Sequence, residues 1–302
     1  MNHMTTINRR ALGRSLSRIT NASVAEALHG LVDARDTDAR RIGFTGAPGA
    51  GKSTLISRYA KYRLDQSNNV GVLMIDPTSP ISGGAVLGDR IRMDAIADDP
   101  GLFIRSVPSR SAHDGLCDNA PDLMLAMEQH GFDEVILETV GVGQVEYAVK
   151  MLVDTVVLVL MPESGDTIQA MKAGILENAD IIVINKADLP GADRSRAEIS
   201  AILKRRLQSE SYWCPEVVMS STKDNQGLAD LAAAIDRHRA WLSANENRAE
   251  QLNRRRQYHL QSLLSRRAQE VMAATGADKL QGDLRQAFDH LAHGIGALDQ
   301  AD

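Results

Sequence analysis

The chain reads as an α/β protein: a doubly wound, mostly parallel sheet with helices on both faces. Three observations carry that reading. Short β-branched runs alternate with helical patterns from Arg41 to about Leu242, and such alternation builds a parallel sheet covered on both sides. Gly46-Ala47-Pro48-Gly49-Ala50-Gly51-Lys52-Ser53-Thr54 fits the phosphate-loop pattern G-x-x-x-x-G-K-[ST] in full, between an apolar run and a helical pattern opening at Lys52. Asn185-Lys186-Ala187-Asp188 closes a later apolar run with the form N-K-x-D. The predicted class is therefore a P-loop NTPase, whose ligands bind beyond the carboxyl ends of the strands, where both motifs fall.

Taken in order, residues 1–40 read as an N-terminal helical extension. From Thr5 to Ala25 there is no acidic residue, while Arg9, Arg10, Arg14 and Arg18 alternate with serines and small residues. This suits an amphipathic helix running into Val24–Leu28, and it also overlaps with the composition of mitochondrial transit peptides. Residues 41–242 read as the P-loop GTPase domain. Its strands are expected at Ile42–Thr45, Val70–Ile75, Leu102–Val107, Glu134–Glu138, Asp154–Met161, Asp180–Ile184 and Val217–Ser220. Helices are expected at Ser53–Leu64, Asp122–His130, Ile168–Asn178, Arg194–Gln208 and Gly227–Trp241. Residues 243–302 carry no strand signal and read as a C-terminal helical arm, with a long helix over Ala249–Met272 and another over Asp283–Leu291. Such an arm either folds back on the core or packs on a second subunit. Its run Arg254-Arg255-Arg256 reads as a solvated helix face.

Bulk composition excludes several classes. A net charge of −5 argues against a dedicated nucleic-acid or anionic-membrane surface. No apolar run approaches the ~20 residues of a membrane span. Cys117 and Cys214 cannot make a disulfide framework, so a reducing compartment is expected: the cytoplasm, or the mitochondrial matrix in a eukaryote.

The chemistry follows from the motifs. Glycines let backbone N–H groups converge on phosphate oxygens, the helix N-terminus adds a partial positive charge, and Lys52 supplies a full one. The Ser53 hydroxyl is placed to hold Mg²⁺, which takes octahedral oxygen ligation and keeps several waters. Three acidic residues are candidates to complete that site: Asp76 at a strand end before Pro77, Asp89 in a glycine-containing loop, and Glu138 at another strand end. A carboxylate at Asp188 can accept from guanine N1–H and N2–H₂ together, a donor pair that adenine lacks. The nucleotide read from these residues is GTP.

Glu138-Thr-Val-Gly141 has the spacing of the D-x-x-G switch of GTPases, with Glu for Asp and the Gly141 N–H as the γ-phosphate sensor. In Ras-type proteins a glutamine after that glycine orients the attacking water. Val142 stands here instead, so slow intrinsic hydrolysis, accelerated by a partner, is expected. Ser221-Thr222-Lys223 occupies the position of the loop that backs the guanine base.

At this point the chain resembles the MeaB/ArgK family of GTPases, the family of the methylmalonic aciduria type A protein. The likeness rests on Gly46–Thr54, Asp76-Pro-Thr-Ser, Gly83–Met93, Phe103–Ser106, Glu138–Gln144 and Asn185–Asp188. It implies a GTP-hydrolysing chaperone of an adenosylcobalamin-dependent acyl-CoA mutase, methylmalonyl-CoA mutase or a close relative. Such a protein gates cofactor loading and protection, as a homodimer joined through helical C-terminal arms. It further implies a partner switch carrying Asp166, Gln169, Lys172 and Glu177, with Lys172 able to stabilise transition-state charge once a partner reorders the segment. Lys52, Glu138 and Lys172 are thus the candidate catalytic residues. Two departures stand out: Ser109–Leu116 replaces a glycine-rich stretch of the relatives, and Pro162-Glu163-Ser164 precedes Gly165 where relatives carry glycines. The alternative is a metallochaperone GTPase for metalloenzyme maturation, which needs a soft or imidazole-rich site.

Overall fold

The computed structural model describes residues 7–31, 37–76, 93, 96–109, 116–139, 145–162, 175–206, 213–221, 223, 226–244, 247–280 and 283–297. Seven strands form one sheet: β1 (Arg40–Thr45), β2 (Val70–Asp76), β3 (Leu102–Pro108), β4 (Glu134–Thr139), β5 (Thr155–Leu160), β6 (Ile181–Asn185) and β7 (Glu216–Ser220). Their order is β3-β2-β4-β1-β5-β6-β7, and every described pair is parallel. The chain moves outward from β1 to β2 and β3, returns to lay β4 beside β1, then builds β5 to β7 on the other side. The reversal flanks β1, which places a crevice at its carboxyl end.

Strands β2, β4, β5 and β6 are buried at every residue, as parallel strands covered on both faces must be. On one face Phe44, Val72, Ile136 and Val157 meet α3 (Lys52–Leu64) and α7 (Leu228–Ala244). On the other, Leu73, Val135 and Val156 meet α1 (Arg9–Asn21), α4 (Ala120–Gln129) and α5 (Val145–Leu152). The β5–β6 part of that layer packs on α6 (Ala192–Arg206).

The predicted elements recur with ends moved by a few residues, and some expectations need correction. The N-terminal segment is not one helix. It breaks at Ala22–Ser23, where α2 (Val24–Leu31) begins behind a capping box. The Ser23 N–H donates to Glu26 Oε2 at 2.8 Å, and the Glu26 N–H donates to Ser23 Oγ at 3.3 Å. Helix α5 was not anticipated. Of the helix expected over Ile168–Asn178, only the last four residues are described, and Ile175–Glu177 is a 3₁₀ turn.

The C-terminal arm folds back on the core. Helix α8 (Asn247–Ala274) lies against α4, α5, α7 and α2, followed by the short α9 (Ala277–Leu280). Helix α10 (Leu284–Gly296) packs on α8 in turn. The arginine run is not a uniformly solvated face. Arg256 is exposed, but Arg255 is largely buried and donates to Glu128 Oε1 at 2.9 Å and Asp154 Oδ1 at 3.0 Å. Glu128 also holds Arg41 of β1 in a two-pronged pair of 2.6 and 2.7 Å, so one buried cluster joins β1, α4 and α8. Its charges are tolerable only because each is paired and hydrogen-bonded. Among the described residues no helix is long and apolar enough to cross a membrane.

Candidate functional site

Strand β1 opens directly into the loop Gly46–Gly51, and α3 starts at Lys52. Two glycines are required by geometry. Gly46 has φ +142, and a Cβ there would sit 2.2 Å from the carbonyl oxygen of Val159 on β5. Gly51 has φ +86, and its Cβ would meet Asn185 Nδ2 at 2.5 Å. The loop can thus press against β5 and against the end of β6 only where side chains are missing. Lys52 Nζ curls back to donate to Gly46 O at 2.8 Å and Ala47 O at 3.1 Å. Pro48, Gly49 and Thr54 face outward, while Ala50, Lys52 and Ser53 are buried.

The two sequence motifs, 135 residues apart, meet here. Asn185 Nδ2 donates to Ala50 O at 2.7 Å, and Lys186 Nζ donates to Gly49 O at 3.0 Å. Lys186 adopts φ +55, left-handed backbone that non-glycine residues rarely hold. That turn ends β6 and swings the lysine over the loop.

Asp188 sits three residues past Asn185. Its Oδ1 accepts from Ser221 Oγ at 2.9 Å, and its Oδ2 pairs with Lys223 Nζ at 2.7 Å. The Lys223 ammonium, then the Ser221 hydroxyl, holds this carboxyl below its ordinary value. Ser221 and Lys223 were expected beside the base motif, and the structure brings them to it. Arg58 of α3 was missed: its guanidinium donates to Ser221 O at 3.0 Å, tying the same loop to the helix behind the phosphate loop. No local pattern marks it, because its partner lies 163 residues away.

Acidic groups gather at neighbouring strand ends. Ser53 Oγ donates to Glu138 Oε1 at 2.7 Å in a buried contact. Register pairs Met74 with Glu138, so Asp76, two residues on, faces the same side of the sheet. Asp76 is itself buried and accepts from Ser106 Oγ on β3. Ser106 is a second missed residue, visible only once β2 and β3 are paired. A hydroxyl with carboxylates at adjacent strand ends is the all-oxygen set that suits Mg²⁺.

Asp89, Gly141, Asp166, Gln169, Lys172 and Thr222 lie outside the described residues. Glu177 is described, and it is not near the loop. It closes the 3₁₀ turn before β6, at the amino-terminal end of the sheet, where its carbonyl accepts from Lys150 Nζ at 3.0 Å.

Residues 12–277 match the family profile described as methylmalonyl Co-A mutase-associated GTPase MeaB. The chain belongs to the MeaB family. It is 38% identical over 213 residues to GTPase ArgK of Escherichia coli, covering 68% of this chain and 63% of that one. It is also 38% identical over 194 residues to the mouse protein named methylmalonic aciduria type A homolog, mitochondrial, covering 63% of this chain and 47% of that one. A protein of Pyrococcus horikoshii designated a GTPase is 37% identical over 263 residues, covering 85% and 82%. The crystal structure of a LAO/AO transport system kinase covers 97% of this chain and 100% of its own at a TM-score of 0.59 and 24% identity, a likeness of fold. Membership of the MeaB family makes this a GTPase-family protein on a P-loop NTPase fold, and it implies binding of guanine nucleotides.

Proposed function

We propose that the protein hydrolyses GTP to GDP and phosphate, slowly alone and faster when bound to a partner, and that the partner is an adenosylcobalamin-dependent acyl-CoA mutase. The observation that carries the nucleotide reading is the convergence of Ser53 and Glu138 with Asn185, Lys186 and Asp188 around one loop. Loop N–H groups and Lys52 hold the phosphates, the lysine exchanging its loop carbonyls for phosphate oxygens. Asp188 reads the guanine edge as an acceptor, with Ser221 and Thr222 backing the base and Lys223 beside it. Asn185 and Lys186 keep that reader fixed to the loop. Ser53, Asp76 and Glu138, with Asp89, would hold Mg²⁺, which supplies charge neutralisation at the phosphates when bound. Gly141 senses the γ-phosphate.

The partner reading is supported by the family's description, which names a mutase-associated GTPase, and by the name of the mouse relative. In this reading Asp166, Gln169, Lys172 and Glu177 relay nucleotide state to the mutase, and Lys172 adds charge at the transition state. The C-terminal arm joins two copies. Leu260, Leu264, Leu284 and Phe288 are 51%, 61%, 84% and 66% exposed and offer the apolar area for that contact. The chain then divides into an extension (1–40), a GTPase domain (41–242) and a dimerising arm (243–302), working in the cytoplasm or, in a eukaryote, the mitochondrial matrix.

The test is GTP turnover with and without purified cobalamin-dependent mutases, using Lys52→Ala as the inactive control. Faster turnover with one of them supports the reading. Turnover unchanged by every mutase removes the partner, and equal affinity for ATP and GTP removes the guanine assignment.

A further inference from the structure

Ser221, just past the end of β7, is wholly buried, and its polar groups are all engaged. Its N–H donates to Gln226 O at 3.3 Å, and its Oγ accepts from the Lys223 N–H at 3.2 Å. A hydroxyl carries one proton, so an oxygen that accepts from an amide on one side turns that proton to its other neighbour. That neighbour is Asp188 Oδ1, at 2.9 Å. The remaining group, Ser221 O, accepts from the Arg58 guanidinium at 3.0 Å. The bonds to Gln226 and Lys223 stay within one loop, whereas the bond from Arg58 comes from α3.

Helix α3 opens with Lys52 and Ser53, so Arg58 fastens the base loop to the same rigid element that carries the phosphate-loop side chains. Other ties hold the base motif elsewhere. Asn185 and Lys186 bind it to the phosphate loop, and the Ala187 N–H donates to Ser220 O at 2.9 Å. Those bonds fix its backbone and its first two side chains, not the Asp188 carboxylate. The carboxylate oxygens meet Ser221 Oγ and Lys223 Nζ instead. The Lys223 side chain is 70% exposed, and an ion pair in water holds a geometry weakly. Orienting the carboxylate therefore falls to Ser221, and orienting Ser221 falls to Arg58, whose charge makes its bond to the carbonyl a strong one.

We propose that Arg58 is a positioning residue for guanine specificity: by holding Ser221 O it keeps the Ser221 hydroxyl on Asp188, and so keeps that carboxylate turned to meet guanine N1–H and N2–H₂ together. This rests on the reading of Asp188 as the group that recognises the base. Arg58 acts through Ser221 and Asp188. A carboxylate that has turned away from its set angle still meets one donor but no longer meets both in line, and a hydrogen bond weakens steeply as it bends. The share of affinity that comes from the 2-amino group is then the share that falls. Hypoxanthine is guanine without that amino group, so GDP against IDP measures it.

The full chain is titrated with GDP and with IDP by calorimetry, as the parent, Arg58→Met, Ser221→Ala and the double variant. The parent is expected to prefer GDP by about tenfold or more. Arg58→Met should lower that preference about fivefold, through weaker GDP binding with IDP little changed. Ser221→Ala should do the same, and the double variant should lose less than the product of the two losses, because the residues act in series. Arg58→Met keeps the stem of the side chain, and the shorter Arg58→Gln serves if it does not fold. Equal affinity of the parent for GDP and IDP removes Asp188 as the base reader, and this proposal with it. If the parent discriminates, the role of Arg58 alone fails on any of three results: a preference unchanged in Arg58→Met, equal losses for both nucleotides, or losses that multiply in the double variant.

Discussion

Ser53 and Glu138 meet across 2.7 Å, hydroxyl to carboxylate, although 85 residues separate them. This one bond aligns the first turn of α3 with the end of β4, and so sets the loop against the neighbouring strand. Ser53→Ala removes the hydroxyl and leaves the fold's apolar contacts in place. GTP affinity measured by calorimetry is expected to fall about tenfold or more with Mg²⁺ present and to change little with the metal chelated. An equal loss under both conditions would mean that Ser53 only shapes the loop.

Asp188→Asn replaces an acceptor pair with one acceptor and one donor, which fits the extra carbonyl of xanthine. Preference is expected to move from guanine to xanthine nucleotides by about tenfold or more in a competition assay. Because Lys223 and then Ser221 depress the carboxyl, Asp188 stays ionised as pH falls through its ordinary value of 3.8. Its depressed value means that its contribution is present above the unfolded value and lost only as pH falls through the folded one. Guanine preference should therefore be flat between neutral and mildly acidic pH, and a decline beginning near pH 6 would point to another group.

His238 carries a pH signature of the same sign, in a window that begins nearer neutrality. Burial first, against the weaker pull of Asp180, sets its imidazole below its ordinary value of 6.5. A depressed folded value means that stability is present above 6.5 and lost as pH falls through the folded value, because the unfolded chain then binds the extra proton. His238→Gln keeps a polar partner for Thr155 and cannot titrate. The melting temperature of this variant, measured against the parent from pH 7.5 to 5.5, should gain on it steadily toward acid. A constant difference would show that His238 does not titrate in that window.

Glu128 is held by Arg41 and Arg255, and all three side chains are almost wholly removed from water. Glu128→Ala leaves two buried guanidinium groups facing a cavity, which costs about 3–5 kcal/mol. Arg255→Met should cost less, since Arg41 and Glu128 still satisfy each other. Urea unfolding of the two variants tests that order, and the reverse order would show that α8 rather than β1 depends on this carboxylate.

The sheet was legible because its signals are local. Runs of β-branched residues, the glycine loop and the base motif each declare themselves within ten residues. The break before α2 was equally local, since Ser23 and Glu26 form a capping box, but the arginine-rich composition around it drew the reading toward one continuous helix. Helix α5 is hard to read from sequence although Ala148, Val149 and Leu152 make an apolar stripe and are all buried, because Glu138–Gln144 just ahead of it reads as a switch. Arg58, Ser106 and Arg255 could not have been found in this way. Each owes its role to a partner 30 to 163 residues away, known only once strand order and helix packing are known.

Helix α8 is fastened along its length. Gln251 and Arg255 hold Asp154, Arg255 holds Glu128, His259 and Arg266 hold Asp122, and Arg266 also reaches Ala22 O at 3.1 Å. None of these attachments uses the covalent connection to α7. A protease that nicks the backbone just after Ala244 would therefore release no fragment: the severed tail would co-purify with the rest until denaturant or acid loosened those carboxylates.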